Sequence, residues 1–367
     1  MSKLFSSTNV GKIALDHRVV MAPLTRLRSD ADDTPSAMMV EHYGQRASQG
    51  GLIIVEAASV SLRSRAYYGA PGLYADRHVE GYRAIADAVH AKGGRVVAQI
   101  IHNGRTSHVE VSGGAQPIGP SLVPLDQQAL TPTGWKPVSP HRAMDLADIK
   151  ETIADFRNAA RRAFEAGVDG VELHAANGYL LDSFLQDGTN RRTDGYGGSA
   201  DNRARLLLEV AEAVGAVNGM DRVGVRLSPS GEWNAISDSD PDATFGRVAE
   251  LLNGYGLAYL HLIEPRIKGD DDKVGQKGRA PTAAATLRSH FSGPIIAAGG
   301  FDGDGAEAIL QRGDADLVAF GRWFTSNPDL PERLRRKLPL TPYDRSAFWG
   351  GTEKGYTDFL PYTADAA

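Results

Sequence analysis

The sequence predicts an α/β protein, a closed (β/α)8 TIM barrel with an N-terminal β-hairpin and a capping excursion after strand three, on three observations. Eight short β-branched runs recur along the chain. Most are apolar throughout rather than alternating, as parallel strands covered on both faces are. Amphipathic segments with helix start and stop signals separate them. An open doubly wound sheet is the competing architecture, but eight successive units with no GxGxxG after the first strand favour closure.

Taken in order, the strands are expected at RVVMAP (Arg18 to Pro23), GLIIVEA (Gly51 to Ala57), RVVAQII (Arg95 to Ile101) and GVELH (Gly170 to His174). RVGVRLS (Arg222 to Ser228), LAYLHLIE (Leu257 to Glu264), PIIAAGG (Pro294 to Gly300) and ADLVAFG (Ala315 to Gly321) complete the set. Helices are expected at Glu80 to Lys92, Asp201 to Val217, Ala243 to Asn253 and Asp304 to Gln311. LADIKETIADFRNAARRAFEAG forms another, with apolar residues every three or four positions and Gly167 closing it. At 367 residues the chain exceeds the roughly 250 of such a barrel, and the surplus has an address. SSTNVGKIALDHR reads as a hairpin closing the barrel floor. The Gly-, Pro- and Ser-rich stretch 103–144 reads as a cap on the third βα loop, and the aromatic tail 339–367 as a return to the same mouth, all within one domain spanning 1–367.

A 42% hydrophobic, 23% charged chain fits a soluble globular protein with a large core. Its net charge of -5, without a basic face, argues against a nucleic-acid partner. No run reaches the roughly eighteen apolar residues of a membrane helix, and MSKLFSSTNV lacks the zones of a signal peptide, so the expectation is a cytoplasmic protein with no membrane partner. The absence of cysteine excludes disulfides, thiolate nucleophiles, Cys-ligated zinc and iron-sulfur clusters. No metal site is expected.

In a barrel the strand ends and the loops after them face one cavity. Here they bring Pro23, Leu24, Thr25, Ala57, Gln99, His174 with Asn177 and Tyr179, and Arg226. Two glycine-bearing turns follow, AAGGFDG (with Ala298, Gly299 and Gly300) and FGRWF (with Gly321 and Arg322), where freed backbone amides and an arginine suit a phosphate dianion. Gln99 offers a donor and an acceptor, Thr25 a hydroxyl, and Arg226 a fixed positive charge. A flat heterocycle with alternating NH and C=O edges, anionic when reduced, matches that set. A flavin with a phosphate tail, FMN, is such a molecule. Each residue also has a plainer account: Thr25 as a helix cap, Gln99 bonded to loop backbone, Arg226 paired with Glu172 or Glu264, and His102, His108, His141 and His261 in structural roles.

MAPLTR, VAQIIHNGR, VELHAANGYLLDSFL, TDGYGGSADNRARL, VGVRLSP and VAFGRWF resemble the Old Yellow Enzyme family of FMN-dependent ene-reductases, and most closely its bacterial branch of N-ethylmaleimide, pentaerythritol tetranitrate and morphinone reductases. The resemblance implies that Thr25 tunes the flavin, that Gln99 and Arg226 bind its pyrimidine edge, and that Pro23, Leu24 and Ala57 lie along the ring. It implies that His174 and Asn177 hold a substrate carbonyl or nitro oxygen and that Tyr179 delivers a proton. NADPH or NADH would reduce the flavin, which would then pass a hydride to an enone, a maleimide or a nitro compound in a ping-pong cycle. Ile101, where relatives often carry tryptophan, implies a roomier substrate pocket, with Tyr67 and Trp349 as other lining residues. A monomer and a homodimer both remain open. The competing functions are a flavin-free phosphate-binding aldolase or isomerase, for which no strand end offers a Schiff-base lysine, and a non-catalytic FMN-binding protein.

Overall fold

The computed structural model describes residues 2–265 and 282–363. Eight parallel strands close into a barrel in which each pairs with its neighbours in chain order. They are β1 (Val19–Met21), β2 (Leu52–Ser59), β3 (Arg95–Ile101), β4 (Gly170–Ala175), β5 (Val223–Leu227), β6 (Tyr259–Ile263), β7 (Ile295–Ala298) and β8 (Leu317–Phe320). The strand assignments read from sequence hold to within two residues at each end: β2 and β4 run on to Ser59 and Ala175, β3 matches, and the other five are shorter.

Five of the helices described begin where a short polar side chain takes up an orphaned N–H group. Ser36 caps α1 (Ala37–Arg46), a helix not anticipated from the sequence, and α2 (Arg77–His90) follows. Asp145 and Asp148 form a reciprocal capping box at the start of α3 (Leu146–Glu165), and Ser199 caps α4 (Ala200–Asn218). Asp240 and Asp302 cap α5 (Pro241–Asn253) and α7 (Gly303–Arg312). The helix after β6, α6 (Ala284–Leu287), is a single turn, and α8 (Leu330–Arg336) is the last. The acidic run Gly269 to Asp272 lies outside the described residues. Among the described residues, no helix is long and apolar enough to cross a membrane.

Two apolar clusters organise the barrel. The larger lies between sheet and helices and includes Ile53, Val96, Phe156, Leu207, Val225 and Phe245. The smaller fills the lower interior: Val20, Leu52, Ile54, Val97, Ile296 and Leu317 meet Val10, Ile13 and Leu15 of the N-terminal hairpin, whose strands are Thr8–Val10 and Ile13–Leu15. The hairpin therefore closes the floor, and the upper interior is left to polar side chains. Residues 103–144 carry a second hairpin, Gln128–Thr131 with Gly134–Pro137.

Candidate active site

A cavity of about 610 Å³ opens at the C-terminal ends of the strands. Pro23, Leu24, Thr25, Gln99, His174, Asn177, Tyr179, Arg226, Ala298, Gly299, Gly300, Gly321 and Arg322 all line it. Tyr67 and Trp349 do too. Two expected positions do not. β2 shifts register between Val55 and Ala58, which places Ala57 inside a bulge, partly covered and off the lining. The strand resumes with Ser59 beside Ile101, leaving Ile101 only 4% exposed and equally off the lining. The bulge thus overrides the simple reading of the β2 end. Thr25 caps no helix, since α1 begins at Ala37 with Ser36 as its cap.

His174 is a neutral hydrogen-bond donor. Burial, aided by Arg226, pushes its pKa down to about 3. Its Nδ1 accepts the Ala176 N–H at 3.3 Å, so the remaining ring proton sits on Nε2. The Tyr179 ring stands edge-on to it, with centroids 5.1 Å apart and an 89° interplanar angle. Burial also raises the Tyr179 pKa, so the phenol keeps its proton, and its hydroxyl lies 3.2 Å from that of Tyr67. Asn177 adopts φ 57°, a left-handed conformation that asparagine tolerates better than most residues. Three groups hold it there. Its N–H donates to Ser228 Oγ at 2.8 Å, its C=O accepts from Asn234 Nδ2 at 2.8 Å, and the Ser228 hydroxyl donates onward to the buried Asp182 at 3.1 Å. Asp182 also accepts the N–H of Gly178 at 2.9 Å.

Below this edge, the barrel interior holds a compact ionic group. Glu172 is fully buried; its Oε1 accepts from Gln99 Nε2 at 2.6 Å and its Oε2 from His261 Nδ1 at 2.9 Å. Burial works against the carboxylate, but His261, Arg226 and Gln99 outweigh it and hold Glu172 below the usual carboxylate range. Burial holds His261 below its ordinary value, which makes it a neutral Nδ1–H donor. Gly224 faces this group without a side chain because the Tyr259 ring occupies the space, 2.3 Å from where a Cβ would stand. Sequence reading places Glu172 only as a partner for Arg226. Its position two residues before His174 on one strand, hence on the same face, was the available signal for membership of the interior layer.

At the other end of the cavity the two turns carry the expected backbone. Gly299 has φ 141° and Gly300 φ 65°, and a Cβ on Gly299 would come within 2.9 Å of the Glu264 Cβ. A side chain is excluded there and peptide groups face the cavity instead. Trp135 from the second hairpin, with Tyr343 and Phe348 from the tail, completes an aromatic rim missed by sequence reading. The Gly134 turn in TPTGWK was the one signal for the first of these.

The residues present fit FMN. The cavity is of the size cofactor sites have, with a donor-acceptor edge at Gln99 and Arg226 and a glycine-walled end for a phosphate. Arg226 Nε is buried without a hydrogen-bond partner among the described residues, a donor awaiting an acceptor. No group of three or more His, Asp or Glu side chains among the described residues is placed to hold a metal ion.

Comparison with known proteins agrees. The family model for NADH:flavin oxidoreductases and NADH oxidases matches residues 3–341. The chain is 42% identical to flavin oxidoreductase hxnT of Emericella nidulans, covering 98% of this chain and 97% of that protein. It is 41% identical to 12-oxophytodienoate reductase 2 of Arabidopsis thaliana, covering 97% and 95%. Morphinone reductase in complex with tetrahydroNAD superimposes with a TM-score of 0.91 at 42% identity over 99% of each chain. The Old Yellow Enzyme homologue of Zymomonas mobilis gives 0.93 at 41% identity over 98% of this chain and 99% of that one. With this barrel, this cavity and these relatives, the chain belongs to the NADH:flavin oxidoreductase / NADH oxidase family, the Old Yellow Enzyme family of FMN-dependent oxidoreductases.

Proposed function

We propose that the enzyme reduces electrophilic alkenes such as enones and maleimides, or nitro and nitrate-ester compounds, using NADPH or NADH, with His174 and Asn177 holding the substrate oxygen and Tyr179 supplying the proton. The observation that carries this reading is the pairing of a neutral His174 Nε2–H donor with a protonated Tyr179 on one edge of the cavity that Gln99 and Arg226 floor. FMN, when bound, supplies the hydride. His174 and Asn177 donate to an oxygen that gains negative charge as the β-carbon is attacked, and those bonds strengthen in the transition state. Tyr179 gives its proton to the α-carbon. None of the three is a carboxylate, so nothing in the trio repels the developing anion.

The same reading takes 103–144 as a cap over the substrate and the aromatic tail as a return to the same mouth, within one domain. It places the protein in the cytoplasm as a monomer or homodimer, with small molecules rather than nucleic acid or membrane as partners. The acidic net charge supports that choice. A H174A/N177A variant tests the site. It should remain yellow with FMN bound while its affinity for a phenol or cyclohexenone falls at least about tenfold, the loss of roughly one to two net hydrogen bonds. Unchanged ligand affinity, followed by flavin absorbance titration, would remove both residues from substrate binding.

A further inference from the structure

The buried group beneath the cavity does more than fill space. Strand register puts Glu172 of β4 beside Gln99 of β3, and Arg226 of β5 between His174 of β4 and His261 of β6. Both Glu172 oxygens are engaged, one by Gln99 and one by His261. The first bond decides how Gln99 faces the cavity. With one Nε2 hydrogen committed to Glu172, Gln99 has one N–H and its Oε1 left, and flipping the amide would set Oε1 against a carboxylate. The second bond fixes the tautomer of His261, with hydrogen on Nδ1, while burial and the neighbouring Arg226 keep the ring neutral although Glu172 pulls the other way. A neutral ring donating from Nδ1 brings no charge, and its Nε2 is buried without a hydrogen-bond partner among the described residues. Of these four side chains only Glu172 and Arg226 are then charged, one negative and one positive, within the same dry layer.

We propose that Glu172 is a positioning residue for the redox centre: it fixes the amide orientation of Gln99 and offsets the charge of Arg226, and so sets how strongly the cavity floor favours reduced over oxidised FMN. The inference rests on the reading that Gln99 and Arg226 face the flavin ring. Negative charge close to Arg226 weakens the attraction that the guanidinium exerts on an anionic ring, and low-dielectric surroundings make that opposition large.

The test is the FMN midpoint potential of the purified holoenzyme, measured by anaerobic dye-coupled titration, beside the FMN dissociation constant. Removing the negative charge in Glu172→Gln should favour reduced over oxidised FMN at least tenfold, an upward shift of about 30 mV for a two-electron couple. His261→Gln keeps the carboxylate and should leave the potential near that of the parent, although both substitutions remove a hydrogen bond from the same group. A folded E172Q protein with the parent potential overturns the proposal. So does an equal shift in E172Q and H261Q, which would mark a general loosening of the layer. Should E172Q fail to fold, Glu172→Asp carries the test. It keeps the charge and shortens the reach to Gln99, so the potential should hold while FMN affinity drops severalfold, and unchanged affinity overturns the positioning role. A parent protein that binds no FMN sinks the underlying reading, whereas a yellow parent with an indifferent E172Q sinks this inference alone.

Discussion

Asp182 shows how much of the site is set by residues that never face the cavity. Burial pushes its pKa up to about 6, against the pull of Gln186, Gly178 and Ser228. A carboxyl raised in the folded state contributes stability that is fully present below its unfolded pKa near 3.9 and is lost as pH rises through 6. The loss is on the order of 3 kcal/mol, from about two pKa units at roughly 1.4 kcal/mol each. The folded protein accepts this cost at neutral pH because the ionised oxygen receives the Gly178 N–H and the Ser228 hydroxyl that support Asn177 in its left-handed turn. Asp182→Asn removes the titration but keeps one oxygen acceptor. The stability difference, parent minus variant, should therefore fall by about 2 kcal/mol between pH 4, where the unfolded carboxyl is already half ionised, and pH 7 in urea unfolding followed by circular dichroism. Taking the difference cancels other titrating groups, and parallel pH profiles for the two proteins would show that Asp182 is not the group responsible. Such a residue was hidden in the sequence. VELHAANGYLLDSF places Asp182 on a helical turn with no sign that its side chain folds back beneath the asparagine, whereas His174 announced itself by ending an apolar strand.

At the scale of elements, the tail reaches the mouth because three arginines hold its carbonyl groups. Arg26 donates to Phe348 O at 2.8 Å and Gly355 O at 2.9 Å, and Arg28 to Thr352 O and Ala347 O, each at 3.1 Å. Arg46, buried in α1, donates to Phe324 O at 2.7 Å, Thr325 O at 2.8 Å and Tyr356 O at 3.1 Å. Tyr356 is in turn stacked on His42, with ring centroids 3.8 Å apart, and lies under the Arg28 guanidinium at 4.4 Å. The Arg26 and Arg28 contacts join the βα loop after β1, and the Arg46–Tyr356 contact joins α1, to a tail segment more than 300 residues away, an attachment of which the tail's aromatic, Gly-rich composition gives no sign. Arg28→Ala should loosen residues 345–357 by about 1.5–3 kcal/mol, the scale of hydrogen bonds from a charged donor, with little effect on the barrel. Amide hydrogen exchange read peptide by peptide would show faster exchange in that segment alone. If exchange there is unchanged, Arg28 does not anchor the tail.

Across the whole molecule, the barrel was legible because its logic repeats: eight apolar runs, separated by stretches several of which are amphipathic at helical spacing, leave few other closures. The cavity was legible for the same reason, since strand ends in a barrel converge wherever the strands are located. What escaped was irregular. The bulge in β2 takes Ala57 off the lining, Ile101 is packed away at the end of β3, and the buried face of α1 is half polar, with His42 and Arg46 beside Met39 and Tyr43. The interior also departs from a barrel filled with apolar layers throughout. Polar and ionic side chains occupy its upper part, so the apolar burial that closes the interior is concentrated at the floor. There the N-terminal hairpin contributes Val10, Ile13 and Leu15, and the N–H of Lys12 donates to Asp221 O at 3.1 Å. Because this small cluster draws on several strands at once, its loss should be felt globally rather than at the chain terminus. Ile13, only 2% exposed, is the sharpest probe. Ile13→Ala should lower the global unfolding free energy by about 2–5 kcal/mol, the range for emptying an aliphatic core site, with an unchanged denaturant slope. A terminal hairpin that merely rests on the barrel would instead fray, giving a cost under about 1 kcal/mol and fast amide exchange confined to residues 8–15. The packing of Ile13 against strands distant in sequence argues for the first outcome, in which the hairpin is the barrel's lower core layer.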